Sequence, residues 1–279
     1  MINFNGNLIA EHSDTLINNR GFLYGDGIFE TVKVLDQKVL FVEDHYFRLM
    51  SGMRIVRMEI PMYFTMEYFE EQILRTADAN NIGQSARVRL TVYRNSGGFY
   101  LPENNDVQFL IHAVELTCPL YHFDNASYEV DLYKDFYITG QLLSSIKTTN
   151  KMINITGSIF ASENGLQNCL LLNDSKNVVE ALNGNIFMLL DNRLITPPIA
   201  DGCLNGVMRK QILAIARKVE GIEVVEESIS PFELQKAEEL FLTNVIIGIQ
   251  PITKYRKKEF ESKFAAELLA KLNTLVRLG

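Results

Sequence analysis

Cysteine is scarce: Cys118, Cys169 and Cys203 are far apart, odd in number and without CxxC spacing, which excludes a disulfide framework and suits a reducing compartment. Histidine is as sparse, and His12, His45, His112 and His122 lack metal-ligand spacing, so no metal is expected. No 18 uncharged apolar residues run together, and the first ten residues lack the basic and apolar regions of a leader. Basic residues are in the minority, 27 Lys and Arg against 34 Asp and Glu, for a formal charge of -7. The longest basic run is only Lys254-Tyr-Arg-Lys-Lys258, so neither nucleic acid nor a membrane is an expected partner. GxSxG, HExxH, the P-loop and a GxGxxG after a strand are all missing. The expectation is a cytoplasmic protein.

What is present is ordinary globular material. The 279 residues are 47% hydrophobic and 22% charged, enough for a sizeable core and for two domains. Strand-like alternation or β-branched runs occupy 2–9, 28–35, 87–93, 107–114, 128–132, 168–173, 184–190, 222–227 and 239–242. Helical spacing lines up Met66, Phe69, Ile73 and Ala77, then Met208, Ile212, Ile215 and Val219, then Phe264, Leu268, Leu272 and Leu275. Residues 43–58 and 150–164 also read as helices, the second ending at Gly165. Strands and helices mix without strict alternation, which predicts an α+β fold. The irregular stretch around Cys118-Pro119 and Asn125 divides it into a small domain, 1–117, a linker, 118–127, and a larger domain, 128–279.

Two charged residues stand in unusual company. Lys147 lies among small polar residues in Ser144-Ser145-Ile146-Lys147-Thr148-Thr149-Asn150, just before a predicted helix; a lysine used as a nucleophile needs a sheltered setting, because the neutral amine reacts. Glu180 sits in the apolar stretch Val178-Val179-Glu180-Ala181 between two turn-forming segments, where it is either a buried carboxylate wanting a cation or an exposed hairpin edge.

These pieces occur in the order found in the class IV aminotransferase family, the fold-type IV pyridoxal-phosphate enzymes, and the resemblance spans essentially the whole chain. Asn19-Arg20-Gly21-Phe22-Leu23-Tyr24-Gly25-Asp26-Gly27-Ile28-Phe29-Glu30-Thr31 resembles the N-terminal signature of the family, and His45-Tyr46-Phe47-Arg48-Leu49 its HxxRL. Ile146-Lys147-Thr148-Thr149-Asn150 resembles the cofactor-lysine motif, and Val179-Glu180 with Asn185-Ile186-Phe187 the glutamate and NxF elements. Thr196-Pro197-Pro198, Leu204-Asn205-Gly206-Val207-Met208-Arg209 and Phe241-Leu242-Thr243-Asn244 complete the set.

The resemblance implies a homodimer of two-domain subunits with pyridoxal 5'-phosphate between the domains, Arg48 in the small one and Lys147, Glu180 and the phosphate cup in the large one. Lys147 is then the lysine that carries the cofactor, yields it to the substrate amine as an external aldimine, and moves the substrate's Cα proton. Glu180 pairs with the pyridine nitrogen. Arg48 offers a bidentate fork to the phosphate, assisted by the backbone amides of Val207 and Met208 at a helix start and by the Thr243 hydroxyl. Tyr24, Arg94 and Asn244 are the implied substrate contacts. Met208 stands where the transaminase pattern usually has Thr, so only its backbone contact is expected.

Within the family, three details resemble 4-amino-4-deoxychorismate lyase, which releases 4-aminobenzoate and pyruvate for folate synthesis. They are Thr31 in Phe29-Glu30-Thr31, whose hydroxyl suits a catalytic proton relay, Asn205-Gly206-Val207-Met208-Arg209, and Thr243-Asn244-Val245-Ile246-Ile247-Gly248 with Pro251. Phe99 departs from that pattern where the lyase has Arg. The lyase is the expected activity, and transamination of branched-chain or D-amino acids with 2-oxoglutarate is the alternative. A non-catalytic binding relative is the third reading.

Overall fold

The computed structural model describes residues 1–9, 18–123 and 126–278, so His12 and Asn125 lie outside the described residues. The chain divides into two compact units. The first comprises Met1–Pro119 together with Ile146–Asn150; the second comprises Leu120–Ser145 and Lys151–Gly279. This corrects one expectation: Lys147 belongs with the small first unit, not the large one, because its segment pairs with a strand there.

The first unit contains β1 (Ile2–Phe4), β2 (Asn7–Ile9), α1 (Arg20–Tyr24), β3 (Gly27–Leu35), β4 (Lys38–Val39), α2 (Val42–Ile55), α3 (Met66–Ala79), β5 (Ser85–Arg94) and β6 (Val107–Glu115). The six strands form one sheet in the order β2-β1-β6-β5-β3-β4. Residues 2–9, which read as one strand, fold into a hairpin because Asn5 and Gly6 both take positive φ, 49° and 83°, the geometry of a tight two-residue turn. Alternation along β3 sends Ile28, Val32 and Val34 to one face, where they meet Leu49, Met50 and Met53 of α2 and the Phe69–Ile73–Ala77 stripe of α3. The Thr65 hydroxyl caps α3 by accepting from the Tyr68 amide at 3.2 Å.

The second unit contains β7 (Glu129–Ile138), α4 (Met152–Glu163), β8 (Asn168–Asn173), β9 (Val178–Ala181), β10 (Asn185–Leu190), β11 (Arg193–Thr196), α5 (Val207–Ala216), β12 (Glu223–Glu226), β13 (Glu239–Asn244), β14 (Gly248–Ile252), β15 (Lys254–Tyr255), β16 (Lys258–Glu259) and α6 (Lys263–Leu278). Two five-stranded sheets, β12-β11-β10-β13-β14 and β16-β15-β7-β8-β9, share a core. Val130, Leu132, Leu170 and Leu172 from one sheet pack with Ile186, Met188, Leu240 and Leu242 from the other. The Phe264–Leu268–Leu272 face of α6 is buried. Its first turn is held by the buried Glu239 carboxylate, which accepts from the Phe264 and Ala265 amides at 2.7 and 2.9 Å. Among the described residues no helix is long and apolar enough to cross a membrane.

Candidate active site

Two motifs about 120 residues apart in sequence form one local structure in the first unit. The Phe29 amide donates to the Lys147 carbonyl at 2.9 Å, the Thr149 amide donates to Gly27 O at 2.9 Å, and the Thr149 hydroxyl lies within hydrogen-bond distance of Gly25 O and Gly27 O. Gly25 has φ +64°, and a Cβ there would run into the Asn150 side chain. These bonds fix the backbone on both sides of Lys147. Its Nζ lies 4.5 Å from the centroid of the Phe29 ring, and the Arg89 guanidinium lies 3.8 Å from the same centroid. Thr31, two residues along β3 on the Phe29 face, is buried and stands opposite Arg89 in the β3–β5 register. Arg89 did not emerge from sequence as a site residue. The alternation Arg87-Val88-Arg89-Leu90-Thr91-Val92 carried the signal, since it puts both arginines on one face of a strand.

On the opposite, core-facing side of β3, Glu30 is 1% exposed and joins α2 through a charged triad. Arg48 donates from Nε at 2.7 Å and from Nη2 at 2.5 Å, and His45 Nδ1 lies 2.7 Å from Glu30 Oε2. Burial pushes the Glu30 carboxyl upward, but the Arg48 charge and the His45 and Arg48 hydrogen bonds outweigh it and bring the pKa to about 2. Burial lowers the His45 pKa, the nearby Arg48 and Lys147 charges lower it further, and Glu30 opposes them. His45 is therefore neutral at pH 7, with its Nδ1 proton on Glu30 and Nε2 buried without a hydrogen-bond partner among the described residues. The triad places the Nε/Nη2 edge of Arg48 on Glu30.

The other expected substrate contacts in this unit are unequal. Tyr24, at the end of α1, is partly exposed, with its ring 5.9 Å from that of Tyr100 and the Arg20 guanidinium 4.9 Å away. Arg94 is a structural staple. It donates from Nε to Asp26, from Nη1 to Arg57 O and Asn105 Oδ1, and from Nη2 to Val56 O, and it is buried. All three of its nitrogens are engaged, so it is not a carboxylate-reading group.

In the second unit, four of the sequence motifs meet on one loop. Glu180 Oε2 accepts from the Leu204 amide at 2.9 Å, and Asn185 Nδ2 donates to Leu204 O at 2.8 Å. Arg209 Nη2 donates to Pro197 O at 2.8 Å and to Glu226 at 2.7 Å, and the Cys203 thiol lies 3.6 Å from the Pro197 and Pro198 carbonyls. Burial pushes that thiol up to about 12, so it is inert.

The loop delivers the chain into α5, whose N-cap is Gly206 with no side chain capping it. A Cβ on Gly206 would run into Asn185 Oδ1, so glycine is required there. The first-turn amides, those of Val207 and Met208 included, have no intrahelical acceptor. The Met208 side chain itself is buried in the core.

Thr243 pairs with Asn185 across β10–β13, is 1% exposed, and its hydroxyl has no hydrogen-bond partner among the described residues. An uncapped helix start beside an orphaned buried hydroxyl fits an anion such as a phosphate. Asn244, expected at the substrate, serves a turn instead: its Oδ1 accepts from the Ile246 and Ile247 amides and its Nδ2 donates to Asn183 O, each at 3.0 Å.

A putative branched-chain-amino-acid aminotransferase of Methanocaldococcus jannaschii is 28% identical over 97% of this chain and 93% of its own length. The branched-chain aminotransferase of Thermoproteus uzoniensis, solved with norvaline, superposes with a TM-score of 0.87 at 22% identity, covering 99% of this chain and 93% of that one. A putative 4-amino-4-deoxychorismate lyase of Legionella pneumophila gives a TM-score of 0.84 at 22% identity, with 95% and 96% covered. The family model for amino-transferase class IV matches residues 27–255, and the chain belongs to that family.

Proposed function

We propose that the chain is a pyridoxal-5'-phosphate-dependent aminotransferase that moves an amino group from an amino acid to a 2-oxo acid such as 2-oxoglutarate. The observation that carries this reading is the anion cup of the second unit: the uncapped start of α5, delivered by the loop that holds Glu180, and the orphaned Thr243 hydroxyl on β13.

When bound, pyridoxal phosphate supplies an aldehyde that condenses with amines and a ring that takes up electron density from the substrate's Cα. The residues do the rest. The Val207 and Met208 amides and the Thr243 hydroxyl hold the phosphate, and the cost of leaving that hydroxyl unpaired disappears on binding. Glu180, oriented by the Leu204 amide, keeps the ring nitrogen protonated. The Lys147 amine would hold the cofactor and would carry the substrate's proton on and off Cα. Tyr24 and Arg89 contact the substrate, with Arg89 as the cation for a carboxylate. Arg48 acts through Glu30 by setting the α2–β3 contact.

Thr31 favours a second reading, 4-amino-4-deoxychorismate lyase, because its hydroxyl shares the Phe29 face of β3 and suits proton transfer to a departing pyruvyl group. Product analysis separates the two. Leucine or D-alanine with 2-oxoglutarate yields glutamate if the chain is a transaminase, and 4-aminobenzoate from aminodeoxychorismate without glutamate formation overturns that preference. The same reading takes the chain as a cytoplasmic homodimer. The exposed Met152, Ile155 and Ile159 on α4, a helix without charge from Met152 to Ser162, support a subunit contact, and gel filtration tests it.

A further inference from the structure

The connection between β5 and β6 is shaped around one buried cation. Arg20, 3% exposed in α1, donates from Nε to Asp26 at 2.9 Å and from Nη1 to three successive carbonyls of that connection, Gly97 O at 2.9 Å, Gly98 O at 3.3 Å and Phe99 O at 2.6 Å. Three carbonyls in a row converge on one nitrogen because Gly97 and Gly98 take φ of +113° and +69°, and a Cβ on Gly98 would run into Leu101 O. Asp26 also accepts from Arg94 Nε at 3.0 Å, so one carboxylate serves two guanidiniums and the carbonyl dipoles supply the rest.

The same guanidinium lies 4.9 Å from the centroid of the Tyr24 ring, and that ring lies 5.9 Å from the ring of Tyr100, the residue after the last of the three carbonyls. Arg20 therefore holds both members of an aromatic pair, one at its ring and the other through the backbone leading into it. The pair faces solvent, with Tyr24 37% and Tyr100 92% exposed. Ring area kept in water on a fixed frame gains free energy when an apolar group covers it. Beyond Tyr24, Gly25 O accepts from the Thr149 hydroxyl at 2.9 Å and from Asn150 Nδ2 at 3.2 Å, which pins the chain carrying Tyr24 to the segment carrying Lys147.

We propose that Arg20 is a positioning residue that sets Tyr24 and Tyr100 as one aromatic wall for the substrate's side chain, and so selects amino donors whose side chain is apolar. The inference rests on the proposed function in taking Tyr24 as a substrate contact, and it adds Tyr100 and the cation that places both rings.

Titration of the cofactor-loaded protein with 4-methylpentanoate and with glutarate, neither of which has an amine, tests it by calorimetry without turnover. Tyr100→Ala, a change at an exposed ring, is expected to weaken 4-methylpentanoate by about 5- to 10-fold and glutarate by less than about 2-fold. Arg20→Met keeps the length of the side chain and removes its fork. It is expected to weaken 4-methylpentanoate by about 10-fold, with Tyr100→Ala adding less than about 2-fold in that background, and to raise KM for leucine by about 10-fold with kcat within a few-fold. In the cofactor-free protein, chymotrypsin should cut at Phe99–Leu101 at least about 10-fold faster in Arg20→Met than in wild type.

Wild-type affinity for 4-methylpentanoate in Tyr100→Ala overturns the proposal even if Arg20→Met does not fold. Additive effects of the two substitutions overturn it as well, and so do equal cleavage rates. Absorbance of the bound cofactor is read in the same samples. Its absence from the wild-type protein contradicts the proposed function, whereas its presence with an unaffected Tyr100→Ala variant contradicts only this inference.

Discussion

Glu30→Gln tests the physical reasoning most severely, because the residue is buried and triply engaged. The substitution keeps the side-chain shape and removes the charge that faces Arg48 and His45. A carboxyl held at about 2 instead of its ordinary 4.5 corresponds to about 3 kcal/mol at 1.36 kcal/mol per unit. Independently, removing one partner of a buried ion pair costs about 3–5 kcal/mol because the other charge is stranded. Urea unfolding at pH 7 is therefore expected to show a loss of about 3 kcal/mol.

The folded-state pKa of Glu30 is depressed, so its contribution is complete above about 4.5 and fades as pH falls toward about 2. Wild type and variant should converge across that window. A loss below about 1 kcal/mol at pH 7, or a gap that persists at pH 2, refutes the reasoning.

Two further substitutions separate structural from binding roles. Thr243→Val removes the orphaned hydroxyl at nearly constant volume; it should leave the cofactor-free protein as stable or slightly more so while weakening pyridoxal phosphate by about 10-fold, measured by fluorescence titration. Arg94→Ala should lower stability by about 2–4 kcal/mol in urea unfolding, because it leaves Asp26 to Arg20 alone and strands three further acceptors, and leave KM of the refolded enzyme within a few-fold of wild type.

The proposed site was legible in large part because its motifs are local in sequence. Lys147, Glu180 and the Gly206–Met208 helix start lie in short motifs whose residue types announce the roles, and the helix stripes of α3 and α6 follow directly from 3.6-residue spacing. What sequence reading misassigned was decided by partners far away in the chain. Arg94 carries a plausible recognition group, yet it is engaged by backbone and side-chain partners that only the fold brings near, and Asn244 bonds the amides of its own turn and the distant Asn183 carbonyl. Arg48 is claimed by Glu30, 18 residues before it, because β3 and α2 pack face to face.

Lys147 joined the first unit through backbone pairing with residues 27–29, which no local pattern announces. Strands β9 and β14 were missed because four or five mostly buried residues show no two-residue alternation. The place of Arg89 opposite Thr31 needed strand register, although alternation within β5 already put Arg87 and Arg89 on one face.

The central claim is that one lysine carries the cofactor. Borohydride reduction of the pyridoxal-phosphate-loaded protein, followed by proteolysis and mass spectrometry, measures this directly. The account predicts a phosphopyridoxyl group on Lys147 alone, abolished together with turnover in a folded Lys147→Ala variant. A phosphopyridoxyl group on another lysine, or none on any, contradicts it.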